Sequence, residues 1–147
     1  MQHRPGTAQS ADTAQPGSRG GVTGWRRGTS ASIVVLVLVQ AGLAGQFLYK
    51  DSGLVIVHRV VAEFLPLLSL ALLVLSWVQI KDGVALPREE LGVSLAVFVL
   101  VVAQTGLGFI GRSQPGIAAI HIPLGVLNFG VATQNALAIW ARSRNAG

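Results

Sequence analysis

The feature that most constrains this chain is the grouping of its apolar residues into four long blocks, at roughly 31–49, 53–78, 91–111 and 116–141. About 20 apolar residues in a helix cross a hydrocarbon core of about 30 Å. Inside lipid, each backbone N–H and C=O must find a partner within the spanning element, which a helix provides. All four blocks are long enough, so the sequence predicts an all-α integral membrane protein. Composition agrees, since only 12% of the residues are charged where a soluble domain carries about 25%. A soluble globule is thereby excluded.

The breaks between blocks are short, at 50–52, 79–90 and 112–115. Short links force consecutive spans to run in opposite directions, so the expected architecture is an up-down-up-down four-helix bundle over 30–142. Residues 1–29 hold almost no large apolar side chain before Trp25 and read as a disordered tail, with 143–147 as a second, shorter one. Arg26 and Arg27 follow Trp25 as an interfacial aromatic and cations would. Their neighbours Gly28 and Thr29 do not favour a twin-arginine signal, and the first block exceeds the 7 to 15 apolar residues of a cleaved one.

The formal net charge is +5, but the basic residues flank apolar blocks and therefore read as topology signals, with no nucleic-acid partner expected. Arg4, Arg19, Arg26, Arg27, Lys81, Arg88, Arg142 and Arg144 fall on the side shared by the termini and the middle loop; Lys50 and Arg112 fall on the other. The positive-inside rule then predicts a multi-pass protein of the cell membrane with both termini cytoplasmic.

An internal repeat is also visible. The stretch from Gln40 leading to His58 and Trp77 recurs from Gln104 leading to His121 and Trp140. Gly42 matches Gly106, Leu43 matches Leu107 and Gly53 matches Gly116, which reads as a duplicated two-helix hairpin. Both copies start from the same side, so equivalent residues are expected at equal depth across an axis along the membrane normal. His58 and His121 would each lie about 7 Å inside the outer boundary, at 1.5 Å per residue from their opening glycines.

An intramembrane imidazole is costly unless it faces the interior and has a partner, which makes the pair a functional candidate. The absence of cysteine removes disulfides, thiolate metal sites, iron-sulfur clusters and covalent haem attachment. A structural zinc site wants four ligands, whereas haem iron takes two axial His. The sequence thus favours one haem b held by His58 and His121. A proton pathway and a purely structural pair remain as alternatives.

Gly42, Gly45, Gly106, Gly108 and Gly111 share the outer half, where missing side chains would admit a porphyrin edge or close helix packing. Arg59 is a candidate partner for haem propionates. Gln40 and Gln104 are expected either to bond across the bundle, the commoner role, or to sit under the ring. Glu63 pairs by default with Arg59 at four-residue spacing. Asn128, Gln134 and Asn135 add polar groups in the cytoplasmic half, and Trp77 and Trp140 close their spans as belt residues.

At these residues the chain resembles one half of a haem A synthase, a family built from two fused four-helix bundles whose second and fourth helices carry haem-ligating or haem-facing His. The matching pieces are the Gln-x-Gly starts at Gln40 and Gln104, the His58, Arg59 pair leading into Val60 to Ala62, and the later His121. The resemblance covers about residues 40–141, and the chain is similar as well to small four-span bacterial haem b proteins. Val55 stands where the synthases carry a Glu, there is no extracellular Cys pair, and there is one bundle where the family has two. The resemblance implies haem ligation by His58 and His121, and the synthases' oxygenation chemistry does not carry over.

The expected function is a cytochrome b-like membrane protein in electron transfer or haem handling, acting with a redox partner or larger membrane complex and more plausibly not itself an enzyme. The alternatives are a cofactor-free accessory subunit of a membrane complex and a small proton-coupled carrier using Glu63 and the His pair.

Overall fold

The computed structural model describes residues 17–49, 53–84, 86–111 and 113–145. They form four helices, α1 (Gly17–Tyr49), α2 (Leu54–Lys81), α3 (Arg88–Ile110) and α4 (Pro115–Asn145). Each helix packs on two others: α1 and α3 both touch α2 and α4, while α1 and α3, like α2 and α4, sit diagonally. The result is a square four-helix bundle.

The buried positions recur at spacings of three and four. They are Arg26, Ser30, Ile33 and Val37 on α1, Leu65, Ser69, Leu72, Ser76 and Gln79 on α2, Glu90, Ser94, Val97 and Val101 on α3, and Asn128, Ala132, Asn135, Ala136 and Ile139 on α4. That spacing keeps one face of a helix toward its neighbours along its whole length. Ile33, Leu72, Val97 and Ala132 belong to the apolar centre, and half of the buried positions are polar or charged. The outward faces carry Ile56, Phe64, Leu67, Ile122, Val126 and Leu137, all exposed.

Polar inside and apolar outside inverts the order of a soluble protein, where exposed apolar patches of this extent do not persist. It is the distribution that lipid requires. Four helices are long and apolar enough to cross a membrane, at Gly20–Gln46, Leu54–Lys81, Arg88–Ile110 and Ala119–Asn145. The chain is a multi-pass membrane protein whose apolar exterior suits contact with a bilayer.

Both ends of the helical region differ from the sequence expectation, and α4 runs to Asn145, into the segment 143–147 read as a tail. Helix α1 begins at Gly17, inside the 1–29 segment read as a disordered tail; residues 1–16 lie outside the described residues. The extension is held by polar contacts, which an apolar count does not register. Gln79 Nε2 donates to Thr23 Oγ1 at 2.9 Å, Arg26 Nη1 donates to Gln79 Oε1, and Arg27 lies 4.3 Å over the Trp140 ring.

Local chemistry explains the helix ends that frame this region. Helix α2 stops in a Schellman motif: Val84 N–H donates to the Gln79 carbonyl at 3.0 Å and Gly83 N–H to that of Ile80 at 3.1 Å. Gly83 has φ 74°, a left-handed conformation that glycine adopts without steric cost. Helix α3 starts after Pro87 with Glu89 and Glu90 in its first turn, where carboxylates complement the helix dipole. Within α2, Pro66 lacks the N–H that would bond the Ala62 carbonyl. Thr105 of α3 donates a long 3.5 Å hydrogen bond to that carbonyl instead.

Glu90 is central to the buried polar set, pairing through Oε1 with Arg26 at 3.3 Å and through Oε2 with Arg142 at 3.1 Å. Replacing it strands the Arg26 charge inside the bundle. Glu90→Gln is therefore expected to destabilise the protein by about 3 to 5 kcal/mol, the cost of breaking a buried pair from one side. Unfolding titrations of this variant and wild type in detergent micelles check the loss.

Candidate functional site

The two histidines lie near the starts of α2 and α4, on opposite corners of the bundle and at the same end. Each is tied to the preceding helix by a glutamine. Gln40 Nε2 of α1 donates to the His58 carbonyl at 2.9 Å, and Gln104 Nε2 of α3 donates to the His121 carbonyl at 3.0 Å. Gln104 Nε2 also lies 3.2 Å from His121 Nε2, where the amide N–H can donate to the ring nitrogen. Both glutamines thus take the interhelical role expected of them. The helices that carry the histidines, α2 and α4, are diagonal.

Small residues make the glutamine contacts sterically feasible. A Cβ on Gly108 would come within 3.1 Å of His121 Cε1, and one on Gly125 within 3.0 Å of Gln104 Nε2. Gly108 follows Gln104 by four residues and Gly125 follows His121 by four, so each glycine faces its partner across the α3/α4 seam. Ala44 and Ala62 hold the corresponding places after Gln40 and His58.

The other predicted residues are placed differently. Gly42, Gly45 and Gly106 meet nothing within 4 Å of a built Cβ, so they neither close a helix contact nor touch the histidines. Arg59 is half-exposed, paired with Glu63 at 3.4 Å and 5.5 Å over the Phe109 ring of α3. The expected pairing at four-residue spacing is present, and it holds Arg59 on the flank of α2. Gly111 caps α3, its N–H bonded to the Leu107 carbonyl at 2.8 Å. Lys50 and Arg112 lie outside the described residues.

The His end is less densely packed than the rest. No buried side chain occurs in 38–46, 53–64, 102–111, 113–114, 116–117 or 119–127. His58 and His121 are intermediate in exposure, and Gln40 Oε1, Gln104 Oε1 and His121 Nδ1 are shielded without a hydrogen-bond partner. No group of three or more His, Cys, Asp or Glu suited to a metal occurs among the described residues.

The opposite end carries a second polar centre that the sequence reading did not find. Arg26 and Glu90 are only 3% and 5% exposed, so Arg26 is an interior residue as well as a basic residue near a membrane boundary. Ser94 Oγ donates to the Glu90 carbonyl at 3.0 Å and lies 3.3 Å from Ser76 Oγ, while Asn135 Nδ2 donates to Ser94 Oγ at 3.4 Å. The signal was present as heptad spacing of polar residues: Ser69 and Ser76, Asn128 and Asn135. Trp77 and Trp140 are exposed, with Lys81 5.1 Å over the Trp77 ring, as belt residues would be.

The chain matches no known family model, curated protein or solved structure.

The glycine geometry yields a direct test. Gly108→Ala and Gly125→Ala are expected to shift the His121 ring ¹⁵N resonances, because each added methyl displaces His121 or its Gln104 partner. Gly106→Ala, facing open space, should leave them in place.

Proposed function

We propose that this protein is a cytochrome b-like membrane protein that holds one haem b between His58 and His121, for electron transfer or haem handling. The observation that carries the proposal is the pair of matching Gln–His units at one end of the bundle, on opposite corners. Two imidazoles anchored through their own backbones satisfy what axial ligation asks of a protein, namely fixed ligand positions and orientation. The less densely packed surroundings and small residues agree with it, as does the resemblance to half of a haem A synthase.

When bound, a haem ligated on both faces supplies one-electron transfer and leaves no coordination position for a substrate. The chain's own residues have limited tasks. Gln40 and Gln104 fix the depth of the histidine backbones, and His121 Nε2 would leave the Gln104 amide to take up iron. Arg59, paired through Nε with Glu63 on the flank of α2, keeps guanidinium N–H groups that could meet a propionate.

The same contacts support an up-down-up-down bundle made of a duplicated hairpin. Arg26 meets Gln79 at one end of the α1/α2 pair while Gln40 meets His58 at the other, and Gln104 repeats the second contact on His121. With eight basic residues on the side of the termini, both termini are assigned to the cytoplasm.

Two measurements test these readings. Protein purified after expression with ample haem should give a reduced-minus-oxidised spectrum of a low-spin b-type haem at about one per chain, and His121→Ala should abolish it. A colourless wild-type protein would overturn the haem assignment in favour of a cofactor-free accessory subunit. Because the chain has no cysteine, Ser113→Cys and Ser143→Cys provide single labelling sites. In intact cells an impermeant maleimide should label Cys at 113 and spare Cys at 143.

A further inference from the structure

The outer surface between α2 and α3 carries a groove of about 320 Å³, lined by Leu73, Val74 and Trp77 of α2 and by Leu91 and Leu95 of α3. All five side chains are apolar or aromatic, and Val74, Trp77 and Leu95 are exposed. The groove lies toward the end opposite the histidines, near the last turns of α2 and the first turns of α3. In a bilayer such a surface is covered by acyl chains or by another protein, and the charge at its end distinguishes the two.

Both walls end in a cation. Lys81 Nζ lies 5.1 Å over the Trp77 ring, which places the ammonium at the end of the groove. Arg88 precedes Leu91 by three residues and Leu95 by seven, the spacing of one helix face, so it stands on the wall they form. Lys81 and Arg88 are exposed, and among the described residues neither forms an ion pair. The exposed Asp82 follows Lys81 in sequence without pairing with it. Three other basic residues of this end are engaged elsewhere: Arg26 and Arg142 pair with Glu90, and Arg27 lies over Trp140. The neighbouring groove between α3 and α4 is lined by Glu89 and Glu90, carboxylates that disfavour an anion. The α2/α3 groove therefore joins an apolar channel to unpaired positive charge.

We propose that this groove is a binding site for an anionic phospholipid of the leaflet on the side of the termini. An acyl chain lies along Leu73, Val74, Leu91 and Leu95, and the headgroup phosphate accepts from Lys81 Nζ and the Arg88 guanidinium where the apolar walls end. Cations beside a span attract anionic headgroups, and an aromatic residue such as Trp77 sits at the headgroup level. The site is independent of any haem at the other end.

The test is lipid quenching of Trp77 fluorescence in the full chain, with Trp25→Phe and Trp140→Phe leaving it the only tryptophan. Phosphatidylcholine nanodiscs receive either brominated phosphatidylglycerol or brominated phosphatidylcholine. Half-maximal quenching is expected at a mole fraction about fivefold lower for the phosphatidylglycerol, the preference that one interfacial cation confers. Lys81→Gln combined with Arg88→Gln should make the two lipids equivalent, whereas Arg144→Gln, on α4, should keep the preference. If the single-tryptophan protein does not fold, native mass spectrometry of the chain with its tryptophans intact, released from mixed bilayers of the two lipids, counts retained phosphatidylglycerol with the same expectations for these variants. Equal binding of the two lipids, or a loss of preference in Arg144→Gln as large as in the double variant, would overturn the proposal. Quenching of Trp77 by neither lipid would overturn it too, in favour of a second copy seated in the groove.

Discussion

One carboxylate organises the end of the bundle where three helices meet. Glu90 sits on α3, takes Arg26 from α1 and Arg142 from α4, and Arg26 in turn donates to Gln79 of α2. All four helices therefore converge on a single charged layer. In a membrane the apolar side chains gain little by leaving lipid for protein, so helix association rests on packing and on polar groups that need each other. A buried carboxylate between two guanidiniums supplies that need. It also fixes which faces of α1, α3 and α4 turn inward, because rotating any of the three would part a charge from its partner.

From that layer the interior changes character along the bundle axis. The hydroxyl and amide groups of Ser76, Ser94 and Asn135 come next, then the apolar centre of Ile33, Leu72, Val97 and Ala132. The glutamines and histidines follow at the far end. The first two regions are buried and the last is half-buried, so the two ends do different work. The ionic end sets the assembly, while the histidine end keeps polar groups less constrained by packing. Interior polar atoms without a hydrogen-bond partner occur at both ends, Gln104 Oε1 and His121 Nδ1 at one and Asn135 Oδ1 at the other.

Much of this was legible in the sequence. The length of the apolar blocks specified four spans, and the repeated Gln and His at near-equal spacing identified the residues that pair. The four-residue spacing of Arg59 and Glu63 gave their ion pair. Other features were hidden because hydropathy weighs each residue alone. Arg26 reads as a boundary cation until Glu90 is known to face it. The start of α1 at Gly17 follows from the contacts of Thr23 and Arg26 with another helix, which no local pattern announces. Gly42 and Gly106 matched across the repeat but touch nothing, whereas Gly108 and Gly125, unmatched by glycine in the first copy, make room for the Gln104 and His121 contact.

The sequence by itself determined that the chain is helical and membrane-spanning, since a run of apolar residues in lipid has no other way to satisfy its backbone. It also determined which polar residues recur inside the spans. Only the tertiary structure decided which of those groups meet: Gln40 with His58, Gln104 with His121, and Arg26 with Glu90. The physical reason is that a partner on another helix is chosen by the rotation and depth of both helices, and these depend on all the interior groups together.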